Sequence, residues 1–527
     1  MFSNLFSSKQ IVLNSDATRD PSNILFISKR RRLLEFYIGT LSIQILLSFL
    51  LIGILNPLVY AFIIIGYDIY WLLKSINISI ITIRGYNNLK TSQKTNWLNK
   101  LQALDPVTQL DYRKLYHLII IPTYNEPIEV LRDSMLAISK VNYDLSKLII
   151  VIAAEQRAGE NFINNTKAIQ AEFSKHFNRL LVIEHPQDLA GEIPGKGANI
   201  TYAGQHLKSI LVDQEGIDPD KIIVTTLDAD HQPDKQYFSE LTYHYCTTEK
   251  RGQYSFQPIP LFFNNIWEVP APIRIVATGN SFWVLIESMR PHRLRNFAAH
   301  SQSLDALIKT DFWCKISPVE DGRHYWRSLL AFDGDYHVKP VYSPIYQDAV
   351  QAENLPRTLK AQVAQLRRWA WGITDIIYLL QEFPKNSKIS RPAKLVHLIR
   401  LVDGHISWAT ASIIIFFSAW IPIFFSRSFS DLALIYNLPD IASSILLLAN
   451  LAIFTTIWIS LLIVPSPIGK LKPWRYFSLI IQWALLPIVA LCIFSYAALS
   501  AQLQLAAGKY LGFNVTKKLA KKHSRTN

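Results

Sequence analysis

The chain has 527 residues, 50% of them hydrophobic and 18% charged, with a formal net charge of +14. A chain this long and apolar can bury a large core, and its three cysteines (Cys246, Cys314, Cys492), with no Cys-x-x-Cys pair, exclude a disulfide framework and a zinc site. The basic balance suits phosphate-bearing substrates, anionic lipid or nucleic acid; several nearly uncharged windows of roughly 20 residues, the length that spans a bilayer, make loop topology its first reading, and no nucleic-acid partner is expected.

Residues 1–33 are mostly polar, show no signal peptide, and end in Lys29-Arg30-Arg31-Arg32. Apolar segments follow over Tyr37–Leu55 and Leu58–Ile78, separated by the turn signal Asn56-Pro57, with Arg84 and Lys90 beyond. Basic residues on both outer flanks predict a transmembrane hairpin over 34–83 with both ends cytoplasmic. Asp68 lies in the middle of the second segment. An intramembrane carboxylate is a functional suspect, the alternative being one paired with a neighbouring helix. Residues 84–115 read as a linker.

Residues 116–382 read as a soluble α/β domain. Leu118-Ile119-Ile120-Ile121, Leu148–Ala153, Leu180–Ile183 and Ile222–Leu227 are short apolar runs separated by helix-like stretches. The alternation predicts a mostly parallel sheet covered on both faces, with ligands at the carboxyl ends of its strands. Pro122-Thr123-Tyr124-Asn125-Glu126-Pro127 follows the first run and offers groups for a base and ribose; a plain strand-to-helix turn is the alternative. Gly195-Lys196-Gly197-Ala198-Asn199 opens a helix, where free amides and the dipole favour a phosphate. Asp228-Ala229-Asp230 ends the fourth run, and both carboxylates can turn toward one hard cation, Mg2+ or Mn2+, beside a diphosphate. Glu320-Asp321 supplies a carboxylate able to take a proton from an acceptor hydroxyl; an acidic pair at a helix start is the alternative. In Gln365-Leu366-Arg367-Arg368-Trp369 a helix places Gln365, Arg368 and Trp369 on one face. Arginines there hold phosphates bidentately and Trp369 stacks on a sugar, unless the triplet is a membrane-proximal anchor.

Within 383–404, Arg391–Asp403 carries Leu395, Leu398, Ile399 and Val402 on one face, flanked by Lys394, His397 and Arg400: an amphipathic helix at the membrane surface. Three apolar segments fill 405–500, over Ile406–Phe425, Ile441–Val464 and Tyr476–Leu499. The tail, 501–527, contains Lys517, Lys518, Lys521, Lys522 and Arg525. Three spans after a cytoplasmic domain would put this basic tail outside, against the positive-inside tendency. One segment is therefore expected to lie in the interface or re-enter, and the last, interrupted by Gln482 and Pro487, is the candidate.

The order Asp-x-Asp, Glu-Asp, Gln-x-x-Arg-Trp resembles the processive family 2 glycosyltransferases, which include cellulose, chitin and hyaluronan synthases. The likeness spans roughly 116–372 and recurs in the tail. It implies a cytoplasmic GT-A-type domain, Rossmann-like, inserted between α-helical transmembrane segments of a multi-pass plasma-membrane enzyme. By it, Thr123, Tyr124, Glu126, Lys196 and Asp228 bind the donor, a nucleotide-diphosphate sugar (UDP-linked). Asp228 and Asp230 hold the metal, Asp321 is the base beside Glu320, Gln365, Arg367, Arg368 and Trp369 contact the donor, and Trp369 also contacts the acceptor. Gln257-Pro258 and Phe262-Phe263-Asn264 also fit. Phe297-Ala298-Ala299-His300-Ser301 resembles an acceptor-facing loop, giving His300 and Ser301. Phe513, Val515, Thr516 and Lys518 match a gating segment that covers the donor. The chain departs in having Val319 before Glu320-Asp321 where the family has Thr, and Glu155 after the second strand where it has Asp, Glu155 standing in as a donor-binding residue on the base or ribose. It also lacks the cyclic-dinucleotide domain of cellulose synthases. The implied activity is inverting transfer to a saccharide or lipid-linked acceptor, building a β-linked polysaccharide in contact with membrane lipids. Transfer of one sugar to a lipid, and a catalytically silent scaffold or transporter, are the competing readings.

Overall fold

Asn56-Pro57 breaks the first apolar stretch. In the computed structural model, which describes residues 28–106, 108–425, 433–465 and 473–512, helix α1 (Lys29–Leu55) ends there and α2 (Pro57–Lys94) begins. The Asn56 side chain accepts from the Val59 N–H at 3.2 Å and Pro57 occupies the first turn, where its missing N–H costs nothing. α2 does not stop near residue 78. It runs through the first part of the expected linker because Leu89, 1% exposed, packs against Ile259, Leu261, Ile273 and Leu285 of the soluble domain. Polar residues interleaved in this last stretch hide the continuity in the sequence. Beyond it, the buried Glu240 carboxylate accepts from Ser92 Oγ (2.6 Å) and from the backbone N–H groups of Ser343 (2.6 Å) and Tyr342 (3.0 Å), so one side chain fixes α2 to the sheet.

The sheet has eight strands: β1 (Tyr116–Thr123), β2 (Leu148–Glu155), β3 (Arg179–His185), β4 (Ile222–Thr226), β5 (Gln232–Pro233), β6 (Tyr254–Leu261), β7 (Ser301–Ser303) and β8 (His337–Tyr346). Their order is β3-β2-β1-β4-β7-β6-β8-β5. The half formed by β3, β2, β1 and β4 is parallel, and β1, β2 and β4 are buried on both faces, as their apolar runs require, while the edge strand β3 is partly exposed. The other half is mixed: β7 is antiparallel to both β4 and β6, β5 is antiparallel to β8, and β6 and β8 are parallel. The expectation of a mostly parallel sheet thus holds for one half only. The helices of eleven residues or more in this part are α3 (Ile128–Ile138), α4 (Glu160–Phe173), α5 (Lys196–Lys208), α6 (Tyr237–Thr247), α7 (Ala271–Ser288), α8 (Glu320–Ala331) and α9 (Leu355–Ala370).

The amphipathic stretch at 391–403 is not a separate element. It is the first half of α10 (Arg391–Phe417), since the single Gly404 does not end a helix with no cap or proline beside it. α11 (Leu438–Ile463) and a broken helix ending in α12 (Tyr496–Ala506) follow. Among the described residues, five helices are long and apolar enough to cross a membrane: Lys29–Leu55, Pro57–Lys94, Arg391–Phe425, Leu438–Ile463 and Phe477–Ala506.

Arg32 at the start of α1 donates from Nη1 to the Leu505 carbonyl (3.0 Å) and from Nη2 to that of Ala506 (2.6 Å). The chain's first and last apolar helices therefore meet at one level, at the start of one and the end of the other. The fifth segment departs from a straight path, with a 3-10 turn at Gln482–Leu485 and a π turn at Ala490–Ser495, and its buried Gln482 accepts from Arg274 Nε of α7 at 2.6 Å. Asp68 is buried within α2, and no hydrogen bond to its Oδ1 is found among the described residues. The motif at Phe513, Val515, Thr516 and Lys518, with the lysines beyond it, lies outside the described residues.

The α1–α12 contact depends on Gly39. A Cβ there would stand 2.6 Å from the Gln502 carbonyl oxygen and 2.7 Å from the Ala506 nitrogen, both backbone atoms that cannot swing aside. Gly39→Ala is expected to cost about 1–3 kcal/mol, the scale of overpacking, and to lower the melting temperature in detergent. An unchanged melting curve would mean that the two helices do not pack this closely.

Candidate active site

The carboxyl ends of β1, β2 and β4 lie side by side, Thr123 level with Ala154 and Ile120 level with Thr226. After β1 the backbone turns sharply through Asn125, at φ +60°, and Glu126 Oε2 accepts from the Tyr124 N–H at 2.6 Å. The Tyr124 ring carries the Arg157 guanidinium 4.0 Å from its centre, and Arg157 is ion-paired with the buried Glu155 at the end of β2. Thr123, Tyr124, Glu126 and Glu155 thus gather around one strand-end crevice. Sequence reasoning missed Arg157, although its place two residues after Glu155 was a usable signal.

Lys196 opens α5 and is 10% exposed at its side chain. Its Nζ lies 2.7 Å from Asp228 Oδ1 and 3.3 Å from Glu320 Oε1, tying the end of β4 to the start of α8. Burial disfavours the ammonium, but Asp228, Glu320 and Asp321 outweigh it and hold the Lys196 pKa above its ordinary value. Gly197 permits this approach: a Cβ there would stand 2.3 Å from the Cys314 carbonyl oxygen and 3.0 Å from Glu320 Cβ.

Asp228, Asp230 and His231 each bring one ligand atom within 4.8 Å of the others. The His231 Nδ1 accepts from the Asp228 N–H at 3.0 Å, which leaves the neutral ring's proton on Nε2, 3.5 Å from Asp228 Oδ2. His231 therefore orients Asp228, and the two carboxylates are the donors for a cation. Asp230 is fixed by the Asp348 N–H, which donates to Oδ2 at 2.9 Å, and by Asn264 Nδ2 on its carbonyl at 3.3 Å. β5 pairing with β8 carries the acidic turn to Asp348. Two hard carboxylates, one of them a third exposed, fit Mg2+ or Mn2+ completed by phosphate oxygens.

Glu320 and Asp321 form the first turn of α8. Burial pushes the Glu320 carboxyl up to about 7, against the pull of Lys196 and Arg368. Asp321 is half-buried, with Oδ1 accepting from the Gly322 N–H at 2.7 Å. His300 is buried behind this pair. Its Nδ1 lies 2.9 Å from the Phe297 carbonyl, Trp313 Nε1 donates to its Nε2 at 3.2 Å, and burial holds it down to about 4 although Asp321 pulls it upward. It is a neutral, doubly bonded ring. Ser301 is not brought to the site: it lies in β7, fully buried, with Oγ 2.7 Å from Thr225 Oγ1 and 3.0 Å from the Tyr237 hydroxyl.

The α9 motif splits. Arg368 exerts its charge on Glu320. Trp369 lies against Phe262, ring centres 6.2 Å apart, and Gln365 accepts from Gln362 Nε2 at 3.1 Å. Arg367 points elsewhere, reaching Ser500 of α12 at 3.5 Å, because consecutive helix positions do not share a face.

No protein-family model and no curated protein matches the chain. Among solved structures, a mannosyltransferase, PcManGT from Pyrobaculum calidifontis in complex with GDP-Man and Mn2+, is similar at 13% identity and a TM-score of 0.42, over 85% of this chain and 100% of that one. S. aureus TarS 1-349 in complex with UDP-GlcNAc gives 12% and 0.34, over 75% and 93% of the two chains. At these scores the likeness carries no weight for function, which rests on the site itself.

Proposed function

We propose that the protein is a membrane-embedded inverting glycosyltransferase of the family 2 type, with a GT-A-like domain on the cytoplasmic side of the plasma membrane. The observation that carries this reading is the Lys196 bridge. It gathers the acidic turn Asp228–Asp230, the acidic pair Glu320–Asp321 and the field of Arg368 at the carboxyl ends of the strands. A nucleotide-diphosphate sugar, UDP-linked, suits the arrangement. Its base and ribose take the Tyr124–Glu155–Arg157 crevice, and its diphosphate takes Lys196, Arg368 and a divalent cation on Asp228 and Asp230. When bound, Mg2+ or Mn2+ supplies Lewis acidity to the diphosphate leaving group.

Asp321 takes the proton from the acceptor hydroxyl. That oxygen bonds to the anomeric carbon from the face opposite the diphosphate, the carbon–oxygen bond to phosphate breaks, and the nucleoside diphosphate leaves. One displacement inverts the centre, so an α-linked donor gives a β-glycoside. The acceptor is a saccharide or lipid-linked chain, and the product a polysaccharide. Purified protein incubated with a panel of nucleotide sugars, with the product sized, tests this reading. A long product supports it, a single addition to lipid limits it to one transfer, and no transfer from any donor overturns it.

Arg157 is the first residue to probe in the base crevice. Arg157→Ala removes a guanidinium stacked on Tyr124 and should weaken binding of UDP about tenfold by calorimetry, about 1.4 kcal/mol, between the exposed and the desolvated scale of a cation–π contact. Turnover at saturating donor should stay near wild type. An unaltered UDP affinity would move the base away from this crevice.

A further inference from the structure

We infer that the junction of α2, α10 and the loop after α7 binds the phosphate headgroup of an anionic phospholipid. The loop Met289–Asn296 contains Arg290, Arg293 and Arg295, and it docks between two membrane helices. Arg290 Nη2 donates to Asn77 Oδ1 of α2 at 2.9 Å, and Arg400 of α10 donates from Nη1 to the His292 carbonyl at 2.9 Å. Three guanidiniums, Arg290 and Arg293 of the loop and Arg400 of α10, are thereby gathered around His292.

Their negative charge is scarce. Glu287, 9% exposed at its side chain, serves both Arg290 (3.3 Å) and Arg293 (3.5 Å). Asp403 stands one turn beyond Arg400, but its Oδ1 accepts from Ser407 Oγ at 3.1 Å, and no ion pair of Arg400 is found among the described residues. The excess is felt locally: burial, then Arg400 and Arg293, hold the exposed His292 below the usual histidine range. Like charges kept together without matching anions call for one from outside.

The flanks say where that anion comes from. On α10, Leu395 and Ile399 are each 57% exposed, and on α2, Ile76 and Ile80 are 49% and 46% exposed. Both sides of the arginine cluster are thus apolar surface of helices long enough to cross a bilayer. A soluble phosphate would leave that surface uncovered. A phospholipid satisfies both, its phosphodiester on the guanidiniums and its acyl chains along the exposed Leu and Ile side chains. Guanidiniums suit the oxygen pair of an anionic phosphodiester better than a zwitterionic headgroup, whose own ammonium would oppose them.

The test uses the full-length protein in neutral detergent. Titrated phosphatidylglycerol should give saturable thermal stabilisation that weakens with salt, while phosphatidylcholine and inorganic phosphate at equal concentration give none. In Arg293→Gln/Arg400→Gln the half-saturating lipid concentration should rise about 30-fold, the scale for two basic residues at a charged lipid surface. The distant Arg132→Gln should leave it unchanged. Equal stabilisation by phosphatidylcholine, stabilisation by inorganic phosphate alone, or an unaltered titration in the double variant would overturn the inference. Should that variant fail to fold, a photoreactive phosphatidylglycerol analogue on the wild type decides. Labelling within residues 289–296 and 391–400 supports the site, and labelling only elsewhere refutes it.

Discussion

Asp321→Asn is expected to bind the donor like the wild type and to turn it over about 10²–10⁴-fold more slowly, the scale of a positioned general base. The substitution preserves shape, and the amide oxygen still accepts from the Gly322 N–H, now 2.7 Å from Oδ1. The negative charge is lost and with it the capacity to take a proton, while Lys196 keeps both its direct partners, Asp228 and Glu320. Glu320 cannot stand in. It is 5% exposed at its side chain and its carboxylate is turned to Lys196 at 3.3 Å, engaged by the lysine rather than free for an acceptor hydroxyl. Glu320→Gln should therefore act through the orientation of Lys196 and weaken donor binding as well as turnover. The separation of the two variants is the informative result. Calorimetry with UDP should show Asp321→Asn unchanged and Glu320→Gln weaker. Wild-type turnover in Asp321→Asn would remove it from the mechanism.

The parts of the fold that were readable in the sequence are those whose environment is uniform along the chain. β1, β2 and β4 are buried on both faces, so each shows as an unbroken apolar run, and the acidic turn after β4 could be located from that run alone. β5 and β7, at two and three residues, are too short to carry any period, and they are what turns a parallel sheet into a mixed one. The same limit misplaced Ser301. Its five-residue motif reads as a loop, but three residues of sheet pairing bury the hydroxyl between Thr225 and Tyr237. α2 was cut short because its last turns bury Gly85, Leu89 and Ser92 against the domain rather than against lipid, and a hydropathy reading sees only lipid. Arg367 was placed beside Arg368 by adjacency, whereas a helix sends neighbours in directions about a quarter-turn apart. Lys196 shows the opposite case: a short Gly-Lys-Gly motif is weak in sequence, and only the fold reveals that it joins both acidic motifs.

Removing divalent metal should abolish transfer, with a loss on the order of 10³-fold or more, because charge on a diphosphate leaving group is worth several kcal/mol to neutralise. Asp230→Ala should give the same phenotype and fail to recover with excess Mn2+. The geometry explains why Asp230 is the sharper probe of the pair. Asp228 is shared, with Oδ1 on Lys196 at 2.7 Å and Oδ2 near His231 at 3.5 Å, so its loss would also release the lysine. Asp230 is 2% exposed, and the Asp348 N–H that aims its Oδ2 comes from the segment following β8. Its replacement removes a carboxylate from the cation without touching Lys196, Glu320 or Asp321. Loss of the buried Asp348 hydrogen bond would itself lower stability by about 1–3 kcal/mol, so Asp230→Asn, whose amide oxygen takes the place of Oδ2 on the Asp348 N–H, is the control. Asp230→Asn should melt like the wild type, show weakened Mn2+ binding by paramagnetic resonance, and remain inactive. Lys196 stays on Asp228 in that variant, so a nucleoside diphosphate should still bind, but without the gain that Mn2+ brings to the wild type. Full activity of the wild type in excess chelator, or Mn2+ affinity unchanged in Asp230→Asn, would leave the acidic turn as a structural feature and shift leaving-group stabilisation onto Lys196 and Arg368.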